Sequence, residues 1–403
     1  MYIGGKDRLN NRNEIMLALC LFTSVDTILF GTNANTFMVL IPRAVAIIGI
    51  FLFSNLYSIN EKLFIGASIF VIIPILSFLL NNVEINTAIS KVLFILLGIS
   101  IASRFSILSF FKVYDRVLYY VSCAAILLEI IAYIAPFLSN YFFRITNEAG
   151  LEYISILLSS INAVDMQTKL IRASGIYWEA GAFAGYLLFG LIAQLFVFEE
   201  TNIKRVIVYL SCMVFTFSTT GAIAVSALLF TYIFSKKGSN INDKRVRRLL
   251  VFVAVVFAVF FLFGEQSVLF DKLFGKITSN ASTTRTRTAS LIVPFYIANS
   301  SPLLGVSPNN IADSMFRFAG TGTLGLQASS MCTNTFSYQF AAYGYIFGFF
   351  FLVRYWILSK KIAGNNLKLA VGIMLSISLA YAGENFYSFL PFALAFLSYK
   401  KVS

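Results

Sequence analysis

The chain has 403 residues, 58% of them hydrophobic and only 12% charged, with 43 Phe, 20 Tyr and a mean hydropathy of +0.81. That much apolar surface cannot be buried in a water-soluble domain, so a bilayer is the expected solvent for most of it. The net charge is +13 and there is no histidine, which removes imidazole from any chemistry; the basic residues are scattered over short segments, so no nucleic-acid partner is expected.

Met1 to Asn13 carries Lys6, Arg8 and Arg12 ahead of an apolar stretch from Ile15 to Phe30. No small-residue cleavage site follows and Asp26 sits inside the stretch, which predicts a retained first helix over 14–31. Further apolar runs fall near 36–58, 63–80, 85–103, 117–137, 173–198, 206–235, 248–264, 336–358, 367–383 and 385–399. Most are continuous for about 17–22 residues without alternation, which predicts membrane helices and not barrel strands.

The run 206–235 is long for one crossing and short for two. Lys204-Arg205 and Lys236-Lys237 bracket it, and Ser218-Thr219-Thr220-Gly221 interrupts its middle. Reading it as a tight helical hairpin gives twelve spans with both ends cytoplasmic. The inner side then holds 21 of the 31 Lys and Arg and 7 of the 18 acids, +14 inside against −1 elsewhere, as the positive-inside rule requires.

The predicted fold class is therefore all-α: a polytopic integral membrane protein, one transmembrane domain over 1–403, with about twelve transmembrane helices. Two long outer loops are expected, 138–171 and 265–335. Leu151 to Val164 in the first resembles an interfacial helix. The second is rich in Ser, Thr, Asn and Gly and carries Arg285, Arg287 and Arg317. The cytoplasmic connections are too short for a nucleotide-binding domain, and no Walker-type glycine loop is present. Of Cys20, Cys123, Cys212 and Cys332, three lie in apolar runs, so neither a disulfide framework nor a zinc site is expected.

Asp26, Arg43, Lys91 and Glu129 fall inside predicted spans, toward the outer half. A charge at the bilayer centre costs about 2.5–3.5 kcal/mol even on the gentle insertion scale, so such residues face a cavity, pair with each other or snorkel to the interface. Arg172 and Glu179 are seven residues apart, two turns, and on one helix would share a face. Gly181 and Gly185 follow at a spacing that lets a neighbouring helix approach closely. Thr283-Thr284-Arg285-Thr286-Arg287 alternates base and hydroxyl, which suits an anionic phosphate group. With no histidine, a proton acceptor has to be a carboxylate: Glu179 first, with Glu129, Asp313 and Glu384 as alternatives.

These pieces in this order resemble the O-antigen and capsular polysaccharide polymerases, the Wzy-type family, and more loosely the O-antigen ligases. The resemblance rests on Arg172-x-x-Gly175-x-x-x-Glu179 with Phe183 and Tyr186, on Phe217-Ser-Thr-Thr-Gly221, and on Ser301-Pro-Leu-Leu-Gly305-Val306. It covers about 170–310 by motif and the rest by hydropathy. There are departures. The Arg-x10-Gly pattern of some members is absent, since Phe183, Tyr296 and Ala298 lie eleven residues beyond Arg172, Arg285 and Arg287, and Ala180 stands where proline often follows the acid. The ligases look dependent on a histidine in the large outer loop, so polymerase ranks above ligase.

The resemblance implies a glycosyltransferase that joins undecaprenyl-pyrophosphate-linked oligosaccharide repeat units at the outer face of the bacterial cytoplasmic membrane, building lipopolysaccharide or capsule. It implies lipid-linked oligosaccharide as both donor and acceptor, membrane lipid around it, no cofactor and no metal, and it leaves a chain-length regulator protein open as a partner. In that frame Glu179 and Arg172 are the catalytic candidates, with Arg285, Arg287, Arg317, Arg43 and Lys91 holding pyrophosphate. A lipid-linked oligosaccharide flippase is the competing expectation, because spans and buried charges suit transport equally.

Overall fold

The computed structural model describes residues 11–24, 27–31, 44–45, 47–49, 52, 61–146, 152–162, 171–234, 244, 248, 251, 281–320, 332–364, 366–386, 388–400 and 402. Asp26, Arg43 and most of the expected spans 36–58 and 248–264 lie outside the described residues. The expected first span is two pieces, α1 (Asn11–Phe22) and the single turn α2 (Ile28–Gly31). Between them the Thr23 and Thr27 hydroxyls bond the Leu19 and Ser24 carbonyls, a local alternative to the helical ladder, and Thr27 bridges to Tyr177.

Three long helices follow: α3 (Glu61–Leu80), α4 (Ile85–Arg104) and α5 (Ile107–Ile134), the last opened by Ser106, whose hydroxyl accepts from the Ser109 N–H. After a sheet come α6 (Ala180–Ile192), extended by a π-turn through Val197, then α7 (Ile203–Phe215) and α8 (Thr219–Ile233). Then come α9 (Ala281–Ser300), α10 (Ile311–Gly320), α11 (Thr335–Ile362), α12 (Leu367–Gly383) and α13 (Leu390–Leu397). Among the described residues five helices are long and apolar enough to cross a membrane: α3, α4, α5, α6 with its π-turn, and α11. The shorter α8 and α12 are apolar as well. Their packing centres on phenylalanine: Phe70 of α3 meets Phe347, Phe351, Phe392 and Phe396 with ring centroids 4.9, 6.0, 6.3 and 4.8 Å away.

One expectation needs correction. The fold is not all-α: β1 (Phe143–Thr146), β2 (Glu152–Ile156), β3 (Ser159–Asn162) and β4 (Ala173–Gly175) form an antiparallel meander in that order. The stretch 151–164, expected as an interfacial helix, supplies β2 and β3, turning at Leu157 and Leu158. Packing on α5 is the reason. Ile154 pairs with Ile161, and both bury against Leu128 and Ala132 of α5 and against Ile171, while the turn leucines stay exposed. The described part of 265–335 is mostly helix, α9 and α10.

Paired contacts fix the helix directions. Asp115 meets Arg205 and Ser122 meets Cys212, so α5 and α7 run parallel. Gly190 lies against Tyr209, while Gly221 lies against both Ala184 and Met213, so α7 runs opposite to α6. The Phe196 ring packs on Tyr232 at 5.7 Å, so α8 runs with α6. Hence α7 and α8 are the antiparallel hairpin expected of 206–235, with its apex at Thr216–Ser218. At 13 and 15 residues the arms are about 20 and 22 Å long, short of the ~30 Å hydrocarbon thickness. A hairpin rooted at Lys204-Arg205 thus ends inside the bundle.

A second hairpin hides in α11. Were it straight, Phe336 and Tyr355 would sit about 28 Å apart at 1.5 Å per residue; their rings are 5.1 Å apart, and Phe340 and Phe349 are equally close. The fold-back is at Gly344, with φ +81° and ψ −179°. The Ser301–Gly305 motif wedges into this bend: Tyr345 N–H donates to Pro302 O at 2.8 Å, and Val306 and Ser307 N–H donate to Ala341 O and Ala342 O at 2.9 and 3.1 Å. A Cβ on Gly344 would lie 2.6–2.7 Å from Pro302 and Leu303 backbone atoms, so the backbones can approach this closely only with glycine.

Candidate active site

The starts of three helices meet at one place. Glu179 stands at the N-cap position of α6 without a side-chain capping bond, Ser218 caps α8 through its hydroxyl on the Gly221 N–H, and Asn334 caps α11 through its side chain on the Ser337 N–H. The amino end of a helix carries partial positive charge, so three together favour an anion. Into this convergence runs the carboxyl end of α12, carrying Glu384 as its cap residue.

Glu384 is held by its neighbours. Its carbonyl accepts from the Thr335 hydroxyl at 2.8 Å, and that hydroxyl also accepts from the Phe386 N–H at 3.1 Å. Its carboxylate lies against the first turn of α6, where a methyl on Gly181 would collide with Glu384 Oε1. The preceding Gly383 touches the Thr220 side chain closely enough that a Cβ there would come within 2.7 Å. Small residues at 181 and 383 therefore let α6, α8 and α12 close on the carboxylate.

Two guanidiniums complete the group. Arg172, in the strand approach to β4, donates Nε–H to Thr216 O at 3.1 Å, at the hairpin apex. Arg287, on α9, donates from Nη1 to the Thr220 hydroxyl at 2.8 Å. Both arginines and both glutamates keep part of their surface open. Burial, followed by repulsion from the Glu179 carboxylate, pushes the Glu384 carboxyl well above the ordinary carboxylate range; Arg287 and Arg172 pull the other way. A carboxylate at its own helix's negative end, beside a second carboxylate, is an unfavourable placement, and such placements concentrate at functional sites.

Aromatic rings back the site. Tyr177 and Tyr186 stack with centroids 3.8 Å apart, Phe386 packs edge-on to Tyr186 at 5.3 Å, and the partly exposed Trp178, beside Glu179, reaches Phe386 at 6.3 Å.

Of the sequence-derived candidates, Arg172, Glu179, Arg287 and Glu384 come together. Arg172 and Glu179 do not share a helix face as expected; one precedes a strand, the other opens a helix with extended backbone (φ −152°, ψ 149°). They meet through the tertiary fold. Arg285 lies on α9 two positions from Arg287, which puts the two positions on opposite sides of that helix; the Arg285 side chain is outside the described residues. Arg317 and Asp313 are exposed on α10 and share none of the cluster's contacts; the Arg317 guanidinium lies 5.9 Å from the Phe318 ring.

Lys91, on α4, sits 5.8 Å from the Phe94 ring. Glu129, on α5, is fully buried, and neither carboxylate oxygen has a hydrogen-bond partner among the described residues. Sequence reasoning missed Thr216, Thr220 and Thr335 as positioning groups and ranked Glu384 only among alternatives. The available signal was the Gly383-Glu384-Asn385 break between two apolar runs. Among the described residues no group of three or more Cys, Asp or Glu is arranged to hold a metal ion. In comparison with known proteins, the chain matches no family model and no curated protein.

Proposed function

We propose that this protein is a polysaccharide polymerase, a glycosyltransferase that joins undecaprenyl-pyrophosphate-linked oligosaccharide repeat units in the bacterial cytoplasmic membrane. The observation that carries the reading is the meeting of Arg172 and Arg287 with Glu179 and Glu384 where three helix starts converge. Cytoplasmic ends, a 206–235 hairpin that enters and leaves on the cytoplasmic side, and a site opening to the outer face belong to the same proposal, supported by the +14 against −1 charge partition.

The chemistry follows from the residue types. Glu179 takes the proton of the acceptor sugar hydroxyl as its oxygen attacks the anomeric carbon of the donor. The bond from that carbon to the pyrophosphate oxygen breaks, and polyprenyl pyrophosphate leaves with the electron pair. Arg172 and Arg287 meet the growing negative charge, fixed donors that need no reorganisation at the moment of transfer. Glu384 in its protonated form donates a hydrogen bond to the same anion instead of repelling it. The partly exposed Trp178 offers a flat apolar face to a sugar ring, with the buried Tyr177–Tyr186 stack behind it.

A transporter of the same lipid-linked substrate is the second reading. Broken helices whose amino ends point at a recessed anion site, as in α8 and α11, also occur in transporters. Inverted vesicles separate the two. With lipid-linked repeats already in the bilayer, a polymerase lengthens them, whereas a transporter moves them unchanged across it. Cells lacking the protein should carry single repeat units in place of long polysaccharide; unchanged long chains would remove the polymerase reading.

A further inference from the structure

Around the second arm of α11 and the carboxyl-terminal end of α13 a second group of cations gathers. Arg354 of α11 is only 8% exposed; its Nε donates to Ser398 Oγ at 2.7 Å and its guanidinium carbon lies 3.4 Å from the centroid of the Tyr399 ring. Tyr399 is wedged against Gly66 of α3, where a methyl would collide with the tyrosine hydroxyl. Lys361, two turns further along α11, lies within electrostatic reach of both Arg354 and Lys62. Its Nζ donates to Lys400 O at 2.7 Å, and Lys400 Nζ donates to Ser103 O at 3.3 Å, beside Arg104.

Helix carbonyl ends occupy two of these cations, Lys361 and Lys400, the ordinary complement of a helix carboxyl terminus. The other three are not so used. The terminal nitrogens of Arg354 and the side chains of Lys62 and Arg104 have no hydrogen-bond partner among the described residues, and Arg104 Nε is buried. The ion pairs among the described residues are Arg116–Glu14, Arg144–Glu152 and Arg205–Asp115, so no described carboxylate is paired with this group. Like charges held together at the edge of a low-dielectric region repel, and an anion between them relieves the repulsion.

We propose that Lys62, Arg104 and Arg354 form a binding site for the phosphate group of an anionic phospholipid. The apolar flanks favour a lipid over a soluble phosphate. Phe64 and Ile65, just beyond Lys62, are 65% and 54% exposed, and Val353, before Arg354, is 49% exposed. These surfaces run along α3 and α11 away from the cations, as acyl chains would; basic pockets between membrane helices take lipid headgroups in this way.

The test uses the full chain in detergent, probed with phosphatidylglycerol, phosphatidylcholine and inorganic phosphate, reading lipid retention by native mass spectrometry and the thermal midpoint. Phosphatidylglycerol should be retained and raise the midpoint, and the other two should do neither. Lys62 is exposed, so Lys62→Gln folds without difficulty, and it and Arg104→Gln should each weaken phosphatidylglycerol binding about five-fold. Equal retention of both lipids, or undiminished binding in both variants, overturns the site. The same stabilisation by inorganic phosphate alone overturns the lipid as its occupant.

Discussion

Replacing Gly344 by alanine tests whether α11 is truly a hairpin pinned by the Ser301–Gly305 wedge. At φ +81° and ψ −179° the residue occupies a region that side-chain-bearing residues avoid, a strain of order 1–3 kcal/mol. The added methyl also meets Pro302 and Leu303 backbone atoms at 2.6–2.7 Å, and backbone cannot rotate aside, so about 1–3 kcal/mol of overpacking is added. The total is about 2–6 kcal/mol, a large share of the net stability of most folds. Gly364 is the control: its φ is also positive, +59°, but nothing lies within 4 Å of its added Cβ. Gly364→Ala should therefore cost about 1 kcal/mol, the left-handed penalty less the entropy removed from the unfolded chain. Thermal midpoints of the purified proteins in one detergent measure the difference. The wedge account is refuted if Gly344→Ala unfolds no earlier than Gly364→Ala.

Three further outcomes are expected. Arg172→Ala, Arg287→Ala and Glu179→Gln should each cut polymer formation by about 10²–10⁴-fold at normal protein levels, and Arg287→Lys should fall well short of wild type, because an ammonium lacks the planar fork; long chains from any of the three at wild-type rate remove that residue from the mechanism. A buried carboxyl with a raised pKa keeps its proton in the folded state after the unfolded chain has lost its own, so stability falls as pH rises above the ordinary carboxylate range. Glu384→Gln escapes this loss, and its thermal midpoint should exceed wild type by more at pH 8 than at pH 5; a gap that shrinks with pH contradicts the sign. In a background without native cysteines, Leu157→Cys should react with impermeant thiol reagents from outside and Lys368→Cys should not, the reverse result inverting the proposed orientation.

Hydropathy marked where helices would lie, because lipid-facing and core-facing residues are both apolar and one long run leaves little alternative. It could not show bends. Gly344 lies within a run that looks like any single crossing, and the wedge that folds it back comes from residues some forty positions earlier. Leu151 to Val164 is apolar enough for an interfacial helix, and the β2–β3 hairpin is decided only by the long-range packing of Ile154 and Ile161 on α5. At the site, Arg172, Glu179 and Arg287 were legible as charges at the edges of apolar runs. Their grouping with Glu384 was not, since it depends on contacts such as Gly181 to Glu384 that no local spacing encodes.

The four charged residues come from widely separated stretches of chain: Arg172 and Glu179 are made early, Arg287 later, and Glu384 about 200 residues after the first. During synthesis the nascent chain thus presents its earlier arginines to the membrane well before its last carboxylate exists. Their grouping rests on long-range contacts such as the Thr335 hydroxyl on the Glu384 carbonyl. Any chemistry that needs all four residues therefore begins only once α12 has been made and has packed against α6 and α8.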